Sequence, residues 1–98
     1  MTAVPNVWTF LSNHGHVLVA LANDPDVRMR DVAQQVGITE RAVQLIVGDL
    51  ARGGYVGVER VGRRNRYAVH EEQRLRHPLE ADTSVGDFLA LLRRAPVS

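Results

Sequence analysis

The stretch "RDVAQQVGITERAVQLIVGDL", residues 30–50, constrains the fold more than any other part of the chain. Apolar residues recur at helical spacing on both sides of Gly37, so two short helices must fold against each other across a glycine. Ala33 is the small residue where the second helix crosses the first. Gly37, four residues later, accepts a positive φ at no steric cost. Val32, Val36, Ile38, Val43 and Ile46 can then close a shared core. Thr39 stands just before the second helix, where its hydroxyl can receive a free amide. These features in register are more specific than a lone glycine or threonine, and they favour a helix-turn-helix over a generic helical hairpin.

The second helix has two different faces. At about 100° per residue, Val43, Ile46, Val47 and Leu50 gather on one side. Arg41, Gln44, Leu45, Gly48 and Arg52 lie on the other. That outward face is the one expected to enter a major groove about 12 Å wide, where Arg41 can pair with guanine and Gln44 with adenine. Leu45 fits either a thymine methyl or the surface of another chain. Gly48 either lets the helix lie close to a sugar–phosphate wall or is a mildly destabilising glycine without a purpose.

Around this pair the chain reads as a mainly α fold with a small antiparallel sheet, in the order α-β-α-α-β-β-α. Ser12 can cap a helix over 13–23, with His14, Val17, Leu18 and Leu21 on one face. Pro25 in "NDPD" ends it, and "VRM" is long enough only for a brief strand. Helices are expected over 30–36 and 40–53, with Gly54 ending the second. "YVGVERVGRRNRYAV" alternates as a hairpin. A four-residue turn at Gly62–Asn65 would set Val61 opposite Arg66, Arg60 opposite Tyr67 and Val58 opposite Val69. Val56, Val58, Tyr67 and Val69 would then cover the hinged helices, and Arg63, Arg64 and Arg66 would project from the tip toward phosphates or a minor groove. Residues 71–83 are polar and expected to be irregular. A last helix, capped by Ser84 or Thr83, is expected over 85–94, with Val85, Phe88, Leu89 and Leu92 as its apolar stripe.

Composition narrows the function classes. Ninety-eight residues make one domain, expected to span 1–98, and no cysteine is present for disulfides or thiolate chemistry. No apolar run reaches the roughly 20 residues of a membrane span, and the amino terminus lacks a signal-peptide pattern. A cytoplasmic location is expected. All 12 basic residues are arginine, a bias that fits a GC-rich, bacterial genome. The formal net charge of +1 is uneven: residues 40–70 hold six arginines against Glu40, Asp49 and Glu59, whereas acids outnumber arginines by one on each side. The middle third is the candidate footprint for a polyanion.

The passage from Val17 to Val69, with its short strand, hinged helices and basic hairpin, resembles the winged helix-turn-helix domain of bacterial regulators of the MarR and ArsR kind. "DLARGGYV" is similar to the passage from reading helix to wing. The resemblance implies a sequence-selective, double-stranded-DNA-binding regulator acting as a homodimeric repressor. A small-molecule effector is compatible with it, but the residues specify none. In that frame Arg41, Gln44 and Leu45 would read bases, while Thr39, Arg52, Arg63, Arg64 and Arg66 would hold the backbone. The arm at residues 1–12, through Trp8, Phe10 and Leu11, and the last helix, through Val85, Phe88, Leu89 and Leu92, would form the dimer contact. Alternatively these two apolar surfaces cover each other within one chain. The cysteine motif of thiol-based metal sensors is missing.

A rival from a different class is a winged helix module for protein contact without DNA binding, motivated by Leu45, Gly48 and the small net charge. No enzyme is expected. His14 and His16 point to different faces of one helix, and His70 and His77 are separated by polar sequence, so no metal site or cofactor is expected. Neither a GxxxxGK[ST] phosphate loop nor a GxSxG nucleophile turn is present.

Overall fold

Among the described residues, three of the four helices begin where a hydroxyl receives an amide. Ser12 accepts from Gly15 N–H at 3.3 Å, Thr39 from Ala42 N–H at 3.0 Å and Ser84 from Asp87 N–H at 3.1 Å. Each such cap satisfies one donor left over at a helix start. The computed structural model describes residues 8–93. These form α1 (Asn13–Asn23), α2 (Met29–Val36), α3 (Glu40–Arg52), β1 (Val56–Val61), β2 (Arg64–Val69) and α4 (Val85–Leu92). The architecture is α+β, with the two strands paired antiparallel.

Glycines end the two hinged helices. Gly37 sits at φ 88°, and Ile38 N–H closes the turn by donating to Ala33 O at 3.0 Å. After α3, Gly54 takes φ 84°, with Tyr55 N–H donating to Leu50 O and Gly54 N–H to Ala51 O. This is the pair of bonds of a Schellman stop, which satisfies carbonyls that the helix leaves free.

One core lies between the helices. Val17, Leu18 and Leu21 of α1 meet Val32 and Ala33 of α2, and Val43, Ile46, Val47 and Leu50 of α3. The expected buried face of α3 is therefore the observed one. His14 departs from its expected place beside Val17 and Leu18: it lies exposed at the rim, bonded to Asp49. Tyr55, Val56 and Tyr67 bring the hairpin onto the core, and the Tyr55 hydroxyl donates to Arg74 O at 3.1 Å.

Three further expectations are corrected. No strand forms at Val27–Met29, so the element order is α-α-α-β-β-α. Among the described residues, backbone pairing of the preceding loop with β2 is limited to one bond, Tyr67 N–H to Pro25 O at 2.9 Å. The hairpin register differs by two residues: Val61 pairs with Arg64, Arg60 with Asn65, Val58 with Tyr67 and Val56 with Val69. Gly62, at φ 62°, and Arg63 make a two-residue loop with positive φ at its first position only. That backbone pattern suits the right-handed twist of paired strands. Because side chains alternate with period two, the slip keeps Val56, Val58, Tyr67 and Val69 on one face. Val58 nevertheless stays exposed near the tip.

The third correction concerns α4. Val85 and Leu89 are fully buried within this chain, so they are not available to a second one. Val85 N–H donates to Gln73 O and Gly86 N–H to Glu71 O, both at 2.8 Å. These bonds draw the start of α4 under the loop that follows β2. The loop at 71–83 is irregular as expected, apart from a bridge between Arg74 and Ser84. Residues 1–7 of the expected arm and Arg94 of the expected last helix lie outside the described residues.

Candidate nucleic-acid interface

α3 presents Arg41, Gln44 and Leu45 outward, Leu45 with 60% of its surface exposed. Their orientation follows from the buried stripe opposite, since Val43, Ile46, Val47 and Leu50 leave the helix only one way to sit. Thr39 is spent as the cap of α3. Its role beside a phosphate would come through the helix start that it orders.

Arg52 shares the outward side but is already engaged. Its guanidinium bonds Asp49 Oδ1 and lies over Gly48, where an added Cβ would come within 3.1 Å of Nη1. The second Asp49 oxygen bonds His14 Nε2 at 2.8 Å. A carboxylate only accepts, so Nε2 carries the hydrogen. These two bonds, His14's first, hold the Asp49 carboxyl below its ordinary range.

The hairpin arginines do not all project as expected. Arg66 Nε donates to Asp26 Oδ1 at 3.0 Å, and Arg64 Nη2 to Asp26 O at 2.6 Å. Two hairpin side chains therefore fold back onto the loop after α1. The Asp26 carboxylate raises the Arg66 pKa further above its ordinary value. Arg63, in the loop itself, is exposed, and Arg60 donates to Gly62 O. Among the described residues, Arg41 and Arg63 have neither an ion-pair partner nor a side-chain hydrogen bond.

Sequence reasoning missed Asp26 and Asp49 as partners of these arginines. Asp26 and Arg66 are forty residues apart and His14 and Asp49 thirty-five, so neither contact leaves a local signal, whereas Asp49 and Arg52 stand three apart on α3, a spacing that could have shown the pair. It also missed a groove of about 800 Å³ lined by His14, Leu18, Asp49, Leu50, Tyr55 and Phe88, among others. Of the expected dimer residues, Trp8 and Phe10 are exposed and stacked edge to face with centroids 5.2 Å apart. Leu92 is 49% exposed, while Leu11 and Phe88 are half-buried.

No cluster of three or more metal-ligating side chains occurs among the described residues. No described helix is long and apolar enough to cross a membrane. No protein-family model matches the chain, and neither does any curated protein.

Proposed function

We propose that this chain is a winged helix-turn-helix DNA-binding regulator that reads duplex DNA through α3 and steadies it with the β1–β2 hairpin. One observation carries the reading: the face of α3 bearing Arg41, Gln44 and Leu45 is uncovered, and α3 packs against β1 of a hairpin whose tip carries arginines. Arg41 and Gln44 have the donor and acceptor geometry for guanine and adenine edges, and Leu45 suits a thymine methyl. Arg63 meets a phosphate directly. Arg64 and Arg66 do so after leaving Asp26, and Arg52 after leaving Asp49.

The regulator works as a homodimer, because one reading helix and one wing bury too little surface for specific affinity. Trp8, Phe10 and Leu92 supply the contact, with Leu11 and Phe88 at its edge and Leu91, 73% exposed, added to it. Repression follows if two protomers cover an inverted repeat with half-sites about 34–36 Å apart.

A second reading, protein contact through the same face, draws on Leu45, an exposed apolar residue at the centre of that face. Mapping amide shifts separates the two. Titration with duplex DNA should move residues 40–52 and 62–66 first. Shifts absent from both segments at saturating DNA would leave protein contact as the function of α3.

A further inference from the structure

Asp26 is placed to act on the DNA site through its arginines. Its loop, 24–27, is ordered by its own bonds: Asp26 N–H donates to Asp24 Oδ1 at 3.0 Å and Val27 N–H to Asp24 O at 3.0 Å. Val27 is buried in the core, and Pro25 O accepts from Tyr67 N–H. The loop is thus anchored at both ends, and Asp26 stands at a fixed place beside the outer side chains of β2. From there its carboxylate takes Arg66 and its carbonyl takes Arg64.

We infer that the Asp26 carboxylate is a built-in competitor of DNA phosphate, holding Arg66 away from duplex DNA until phosphates displace it. The inference rests on the proposed DNA-binding reading and names how that same site is restrained. Three features support competition rather than mere bracing. A carboxylate and a phosphate offer a guanidinium the same anionic oxygens. The Asp26 and Arg66 side chains are 56% and 54% exposed, so the contact exchanges readily with an outside anion. The wing is also held by its own backbone, through β1 pairing and the Tyr67–Pro25 bond, and does not need Asp26 for its position. A restraint of this kind lowers affinity for every duplex alike, because it acts on phosphate contacts and not on base contacts.

The test measures duplex binding across a salt series for wild type, Asp26→Ala and Asp26→Asn, with Tm recorded for each. Asp26→Ala should tighten binding to any duplex by about two- to fivefold at low salt. The plot of log affinity against log salt should steepen by up to about 0.9, the value of one added phosphate contact. Asp26→Asn should fall between Asp26→Ala and wild type. Repeating Asp26→Ala in an Arg64→Gln/Arg66→Gln background separates the mechanism from a general change of charge. There the substitution should leave affinity unchanged, since Arg66, the partner of the Asp26 carboxylate, is gone. Weaker or unaltered binding by a folded Asp26→Ala protein, or tightening that persists without the arginines, would overturn the inference. Wild-type protein that binds no duplex at any salt would instead remove the DNA-binding reading, and this inference with it.

Discussion

Nε2 of His14 and Oδ2 of Asp49 lie 2.8 Å apart and join the first turn of α1 to the last turn of α3. The bond fixes the end of the proposed reading helix against the body. It also gives that contact a pH dependence of known sign. The Asp49 carboxyl is held low, first by His14 and then by Arg52. A carboxyl depressed in the folded state contributes stability above its unfolded value, about 3.9, and loses it as pH falls through the lower folded value. Asp49→Asn should therefore lower Tm near neutrality, and the deficit should shrink as pH falls below about 4. Thermal melts of both proteins across that range check this. The effect is small, because both side chains are half exposed. A deficit unchanged down to pH 2 would show that Asp49 acts by packing instead.

The glycines at 37 and 48 should respond oppositely to alanine. Gly37 holds φ 88°, and an L-residue there costs about 1–2 kcal/mol. Gly48 is helical, and a Cβ would meet only the Arg52 guanidinium, whose side chain is 74% exposed and can move. Gly48→Ala should stabilise by up to about 1 kcal/mol. Urea unfolding of the two variants measures both signs. Stabilisation by Gly37→Ala would contradict the hinge geometry.

Leu89 and Leu92 are both on α4 but should fail in different ways. Leu89 is fully buried, so Leu89→Ala should cost about 2–5 kcal/mol whatever the protein concentration. Leu92 is half exposed, and Leu92→Asp should leave Tm nearly unchanged at low concentration while shifting sedimentation toward monomer. Intact protein sedimenting as a monomer at tens of micromolar would contradict the proposed dimer.

Most of the helical framework was legible in the sequence because its signals are local. Ser12, Thr39 and Ser84 mark helix starts, Gly37 and Gly54 mark stops, and apolar spacing gives the buried face of α3. The hairpin was legible in parity but not in register. Gly62–Arg63 closes a two-residue loop that the run "GRRN" conceals, and a slip of two residues leaves the alternation intact. The α4 stripe was misread because nothing local shows that Gln73 and Glu71 draw Val85 and Gly86 inward. The arginines look free in the sequence for a similar reason. Asp26 meets Arg64 and Arg66 only after the chain has folded, and such long-range contacts leave no periodic trace, whereas Asp49 and Arg52 are a local pair at helical spacing.

The central claim is that α3 and the wing bind duplex DNA, and its most direct test is retention of wild-type protein on a randomised duplex library across a salt series. The expected result is retention that weakens with salt, at a slope of about −0.9 for each phosphate engaged by Arg63, Arg64 or Arg66. The retained pool should share a sequence preference that changes when Gln44 becomes Ala. Protein that passes through the library unretained at every salt concentration would contradict the claim.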